Sequence, residues 1–566
     1  MFSFENLLRN EYFPSELPPC FHTESFADNH IKIQEFVKDV ELTPSDPLIF
    51  SGYKNTNSRR KFAIPNPYHY AKAVYVIVDK SADIFSVFEK SKESLTVPLK
   101  IVPDKNECYK RPTAEISESK EKIKKLYQGN LFEIRLDIQS FFDSVYTHTI
   151  AWAMHTKSVA KKNKKGKTLV GNLIDSCLQN LNSGQTNGIL VGNAVSRIAS
   201  EIILCSVDKE IKSRVSRINY LRYVDDYYIF VRQNSQVNDI IAIFRQELSR
   251  YELILNENKL QINESPFIYG KPWVEQMRVY ARLEPQLLLE KTIIEYHLYK
   301  DIAIVKYGLK VLRTISFSNI EWKNLQPIVF NIWVRFPSLS NYIAIIFKNN
   351  ENNLSVSLLK KSIYAILDTH VALKNDEEVI WAVWISKIFN IQLSKDYIKK
   401  ILDTENWLAI VILLDILSLR KSESSIKKLI NRFRNRIIGE YFSGSNPQDG
   451  MNTDIWLLAY EADKNKWLNT SGTDTFLFAR KHPFFKELRN LDVSFYKNDF
   501  TYEKIGKPKS KANIYVTRKE LIELLKEYKT LFEANREGEE ETSVLYNVEE
   551  SIYEKIVDTL SNTEEY

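Results

Sequence analysis

From Ser338 to Ile438 the chain runs for 101 residues without a glycine or a proline. These two residue types supply most left-handed turns and most rigid helix stops, so a stretch lacking both must be built from helices joined by short polar links. Apolar residues recur in it at three- and four-residue spacing. Leu358, Leu359, Ile363, Ile366 and Leu367 place one stripe along a helical face. Polar joints at Lys348–Asn353 and Lys421–Ser424 divide the stretch, and consecutive helices stacked as in a solenoid are expected. Glycine is scarce throughout, 15 of 566 residues against a usual ~7%, which speaks against a β-sandwich or a propeller.

The first 275 residues read differently. Phe132, Ile134, Leu136 and Ile138 alternate with Glu133, Arg135 and Asp137, the pattern of a half-buried strand with an acid near its end. Tyr220–Val231 holds two β-rich runs joined at Asp225 and Asp226, a hairpin. Between these segments, Val195, Ile198, Ala199 and Ile202 share one helical face. The expectation is an α+β N-terminal part and an all-α C-terminal part. Cys20, Cys108, Cys177 and Cys205 lie far apart with no C-x-x-C, which fits a reducing cytoplasm rather than a disulfide framework or zinc ribbon. The start has no signal-peptide pattern, and the longest apolar run, Trp407–Leu414, is too short to span a bilayer. A cytoplasmic protein without a membrane partner is expected.

The net charge of +6 hides an asymmetry. Eleven acidic and two basic residues lie in 533–566, a net of −9, so the remainder carries +15. A basic body suits a polyanionic partner. Two acidic sites, Asp137 and the pair Asp225–Asp226, stand 88 residues apart. An isolated Asp-Asp is ordinarily a turn pair. At adjacent strand ends, however, such carboxylates would suit two divalent cations roughly 3.5–4 Å apart, the arrangement used in phosphoryl transfer.

The surrounding residues carry a resemblance. Leu136-Asp-Ile-Gln-Ser-Phe-Phe-Asp143 resembles motif A of reverse transcriptases, and Gly188-Ile-Leu-Val-Gly-Asn-Ala-Val-Ser196 resembles motif B. Tyr223-Val-Asp-Asp226 is similar to the motif C box, and Leu255-Asn-Glu-Asn-Lys259 to motif D. Arg59-Arg-Lys-Phe-Ala-Ile-Pro-Asn-Pro67, Tyr146–Trp152 and the lysine-rich stretch after it resemble the abortive-infection (AbiK-like) reverse transcriptases, a family of phage-defence polymerases. The resemblance implies a reverse-transcriptase-like fingers and palm domain over 1–275, a HEAT-like α-helical repeat domain over 276–500, and a helical, acidic extension over 501–566.

It also implies roles. Asp137 and Asp225 would be metal ligands with the backbone carbonyl of Ile138, and Asp226 the accessory carboxylate, for two Mg²⁺ ions or Mn²⁺ in their place. Phe142 would lie under the sugar and reject a 2′-OH, with Phe141 in the core. Arg60 would hold triphosphate oxygens, with Arg59 or Lys61 as substitutes; Tyr70 stands where templated relatives carry a second arginine. Gly192 and Ser196 would touch nucleic acid, although Leu190 and Val191 depart from the usual motif B, and Asn193 alternatively caps a helix. Lys259 would protonate the departing pyrophosphate. The six lysines of Lys157–Lys167 would track a phosphate backbone, while His148 and His155 are read as structural. The reaction implied is untemplated addition of dNTPs onto a protein tyrosine, with Tyr12 as the priming candidate and Tyr53 and Tyr566 as rivals. Its partners would be dNTPs, a single-stranded DNA product attached to protein, and further copies of the chain. Alternatives are a defence reverse transcriptase copying an associated RNA, and a catalytically silent RNA-binding scaffold.

Overall fold

The computed structural model describes residues 2–55, 58–97, 116–163, 169–215, 217–267, 271–281, 283–315, 317–420, 422–444, 446–469 and 476–502. Cys108, Tyr566, the acidic segment and part of the lysine-rich stretch lie outside them. The chain divides into two compact units. One comprises Met1–Tyr269, Val334–Asn341 and Val356–Thr501; the other comprises Gly270–Trp333, Tyr342–Ser355 and Tyr502–Tyr566. No described helix is long and apolar enough to cross a membrane.

The stretch without glycine or proline holds helices Ser340–Asn349, Val356–Ala372, Asp376–Ile388, Lys395–Leu402, Trp407–Ser418 and the start of Ser424–Tyr441. Left-handed residues still end two of them, but they are Lys374 (φ +53°) and Asn390 (φ +52°). After each, the next N–H turns back, from Asn375 to the His370 carbonyl at 3.0 Å and from Ile391 to Ser386 at 2.8 Å. This closes the helix as a glycine would, at a conformational cost of roughly 1–2 kcal/mol for a residue with a Cβ. In the first unit, Val356–Ala372 packs on Asp376–Ile388, that helix on Trp407–Ser418, and that on Trp456–Lys464. Trp381, Trp384, Trp407 and Trp456 are all buried in this stack. The second unit is helical, with Trp322, Phe330, Trp333 and Phe347 in its core.

Among the described residues, six strands complete the first unit: β1 (Leu48–Asn55), β2 (Ser58–Ile64), β3 (Phe132–Asp137), β4 (Asn219–Tyr223), β5 (Asp226–Val231) and β6 (Gln261–Glu264). β1 and β2 form an antiparallel hairpin. The other four form an antiparallel sheet in the order β4-β5-β3-β6. Behind it runs the helix Ala194–Arg214, buried over most of its surface. The architecture is thus an α+β sheet domain followed by an all-α region.

The helical stack and the N-terminal part are tied residue to residue. Backbone N–H groups of Ser51 and Tyr53 donate to the Asp376 and Glu377 carboxylates at 2.8 and 2.7 Å. Arg59 forms a two-pronged ion pair with Glu378 at 2.5 and 2.6 Å. The Trp381 indole N–H donates to the Glu16 carbonyl at 2.7 Å, and Lys497 N–H to that of Cys20 at 2.8 Å.

Candidate active site

The acidic residues meet because of register. Asp137, the last residue of β3, lies opposite Asp226, the first of β5. Tyr223 pairs with the same Asp226 from β4, which leaves Val224 and Asp225 as a two-residue turn at the hairpin tip. Three carboxylates are thereby gathered at neighbouring strand ends. Asp137 is 8% exposed. Burial first, then the Asp225 and Asp137 charges, push the Asp226 carboxyl up to about 6. Burial and Asp137 also raise Asp225, opposed by Lys259 and Arg60.

Lys259 ends a single 3₁₀ turn, Glu257–Lys259, which brings its Nζ to 3.1 Å from both Asp137 oxygens. Asn256 adds a side-chain bond of 2.9 Å to Asp137 and a backbone bond of 2.8 Å to its carbonyl. Sequence reasoning missed Asn256, although its position three residues before Lys259 in motif D was a signal. Ile138 faces Leu255 in an isolated bridge. Its two flanking bonds use the carbonyls of Asp137 and Ile254, so Ile138's own carbonyl is not spent there. A cavity of about 160 Å³ opens beside the acids, lined among others by Arg135, Tyr228, Lys259 and Gln261.

Among the described residues, no group of three or more His, Cys, Asp or Glu side chains is gathered as a metal site. The donor chemistry nevertheless fits a hard cation: oxygen ligands only, carboxyls of Asp225 and Asp226 raised by burial and by neighbouring acids, and an ammonium group standing against Asp137.

The remaining positions sort clearly. Arg60 is exposed on β2 opposite Gly52 and near enough to Asp225 to act on its charge. Arg59, its expected substitute, is committed to Glu378. Phe141 is buried, whereas Phe142 is only partly buried, its carbonyl accepting from Ile189 N–H at 2.8 Å. That bond sets motif A beside motif B. Gly192 has φ +107°, and a Cβ there would stand 2.7 Å from Pro14 Cγ. Phe62 Cδ1 on β2 would stand 3.4 Å away, so the protein's own N-terminal segment and β2 both face Gly192. The expected reach of Ser196 to nucleic acid is corrected: Ser196 is fully buried, its N–H donates to the Asn193 cap, and its Oγ accepts from Asn193 Nδ2 at 3.2 Å.

Tyr12 is likewise corrected as the priming residue. It is 1% exposed, its hydroxyl donates to the Pro65 carbonyl at 2.6 Å, and burial holds its phenol well above the ordinary range. A nucleophile needs the opposite surroundings. Tyr70 is also buried, bonded to the Leu7 carbonyl. Tyr53 is partly buried on β1. His148 bonds Asp175 at 2.5 Å, and His155 accepts from Gly171 N–H at 3.1 Å; both sit in protein contacts.

The family model described as reverse transcriptase (RNA-dependent DNA polymerase) matches residues 86–278, which enclose every carboxylate and motif just described from β3 to Lys259. This chain contains a reverse transcriptase domain. No curated protein matches it. Among solved structures, the reverse transcriptase domain's chain is similar to telomerase from Candida albicans in complex with a fragment of telomeric RNA, at 10% identity and a TM-score of 0.28. That match covers 79% of this chain and 71% of the other. It is also similar to apo telomerase from Candida tropicalis, at 12% identity, 79% and 73% coverage, and a TM-score of 0.28. The reverse transcriptase assignment stands on the family match and on the strand-end acids.

Proposed function

We propose that this polymerase of reverse-transcriptase type is a phage-defence DNA polymerase, which adds dNTPs without a template onto a protein hydroxyl. The observation that carries the polymerase chemistry is the meeting of Asp137, Asp225 and Asp226 at paired strand ends. Asp137, Asp225 and the Ile138 carbonyl would hold divalent cations, Mg²⁺ or Mn²⁺, with Asp226 as accessory. When bound, such cations neutralise the charge that builds on the attacking and leaving oxygens. Lys259, already at the site, would turn from Asp137 to protonate the pyrophosphate. Arg60 would hold the triphosphate, and the Phe142 ring would exclude a 2′-OH.

The untemplated part is supported by the motif B loop. Pro14 stands against Gly192, the Glu11 carbonyl accepts from Ala194 N–H at 2.9 Å, and Glu11 pairs with Arg197 at 2.7 Å. The N-terminal segment thus covers backbone that a template strand would otherwise approach. With Tyr12 committed to Pro65, priming is assigned to another tyrosine, and Tyr53 on the β1–β2 hairpin is the first to test. Defence and self-association rest on the motif resemblance.

The test is to sequence the product made from dNTPs by the protein before and after RNase treatment, and to map the linked residue by mass spectrometry. Heterogeneous sequence on a tyrosine is expected. One defined sequence, lost after RNase, would make the enzyme RNA-templated.

A further inference from the structure

The turn that presents Asp225 is strained. Val224, β-branched, sits at φ +53°, a conformation such residues rarely adopt and keep only when their surroundings hold it. Both polar groups of its backbone are held from the protein interior. Its carbonyl accepts from Arg222 Nη1 at 2.9 Å, and its N–H donates to Thr96 Oγ1 at 3.1 Å. The two anchors share a foundation. Thr96 donates its hydroxyl to Glu201 Oε1 at 2.6 Å. Arg222 spans Glu201 at 3.2 and 3.1 Å and Asp208 at 3.0 Å. Arg222, Glu201 and Asp208 are fully buried. Ser94 and Ser91 add hydroxyl bonds to Glu201 and Asp208 at 3.0 and 2.7 Å. One carboxylate–guanidinium cluster therefore grips both ends of a single strained residue, one position before a strand-tip acid.

We propose that Thr96 and Arg222 are positioning residues for the Val224–Asp225 turn, fixing the direction in which Asp225 presents its carboxylate to a divalent cation. Neither lies in a motif that carries the polymerase resemblance, apart from Arg222 preceding motif C. Asp225 itself needs no bond to either residue for this; the backbone of Val224 transmits the constraint. The proposal rests on the reading of Asp225 as a cation ligand.

Removing Arg222 would leave two buried carboxylates unpaired, so the test falls on Thr96. Thr96→Val keeps the shape and deletes the hydroxyl bonds to Val224 and Glu201, with that to Ser94 Oγ at 3.3 Å; Thr96→Ser keeps the hydroxyl. Mn²⁺ alone is titrated into each protein and followed by electron paramagnetic resonance, with thermal unfolding recorded alongside. Groups that orient metal ligands typically change affinity by about 10–100-fold. A loss of that size is expected for Thr96→Val, with Thr96→Ser close to wild type and both proteins folded. Mn²⁺ affinity of Thr96→Val equal to wild type would overturn the proposal, as would an equal loss in Thr96→Ser. Should Thr96→Val not fold, the near-isosteric Thr96→Cys is held to the same criteria. Asp225→Asn separates the two levels. If wild type binds Mn²⁺ no better than Asp225→Asn, the cation-ligand reading fails and the proposal with it; if only Thr96→Val matches wild type, the proposal alone fails.

Discussion

At the scale of single residues, Phe142, proposed to lie under the sugar, gives the sharpest expectation. Phe142 is partly buried beside the motif B loop, whereas its neighbour Phe141 is core. Phe142→Ala should therefore leave folding intact and relax sugar choice. A steric pocket of this kind discriminates by about 10–200-fold. Competing dNTP and rNTP incorporation should narrow by that order, and an unchanged ratio would remove Phe142 from the role. The acids themselves were legible in the sequence because period-two alternation located the end of β3, and the hairpin located Asp225. What was not legible is which polar groups serve the protein rather than the ligand. Ser196 and Tyr12 are typed as reactive by their hydroxyls, yet both are sealed in internal hydrogen bonds. Burial of an individual hydroxyl is a tertiary fact. Arg222, sharing a strand face with Tyr220, carried a signal that could have been used: an arginine on the inward side of a strand demands buried acids.

At the scale of elements, the β1–β2 hairpin is held through the first turn of the helix Asp376–Ile388, over a separation of more than 300 residues. No local pattern announces such a pairing, although three acids in a row at a helix start suit its dipole. For Glu377, burial outweighs the Tyr53 N–H bond and the Arg59 charge, and its carboxyl is pushed up to about 8. The sign follows from linkage. The folded state keeps the proton that an unfolded carboxyl releases near 4.5. Its stabilising contribution is therefore full below pH 4.5 and is lost as the pH rises through about 8. Unfolding temperature should fall over this interval, and Glu377→Gln should flatten that fall. Thermal scans of both proteins across the interval check this, and parallel curves would contradict it. The helices were legible as elements because their apolar stripes are long. Their stops at Lys374 and Asn390 were not, since neither residue type demands a left-handed backbone.

At the scale of the whole molecule, charge and composition identified a basic body and a helical C-terminal part, but not how the chain divides. Residues Val356–Thr501 belong to the same compact unit as Met1–Tyr269. The ties from Asp376, Glu377, Glu378 and Trp381 give the reason. Disrupting the stack should therefore disturb the strand-end acids at a distance. Trp407→Ala removes a buried ring that also donates to Asp454 at 2.8 Å. It should cost about 3–5 kcal/mol and lower nucleotidyl transfer and the first unit's stability together. Calorimetry with a parallel activity series reads this, and a destabilised helical part with an untouched active site would contradict it.

The measurement that bears most directly on the central claim is label transfer. Purified, nuclease-treated protein is incubated with Mg²⁺ and labelled dNTPs, with neither template nor primer, beside an Asp225→Asn control. The proteins are then denatured and separated. Label that stays on the wild-type band, resists RNase and is absent from the control is the predicted result. An unlabelled wild-type band, with incorporation restored by added RNA template and primer, would contradict it.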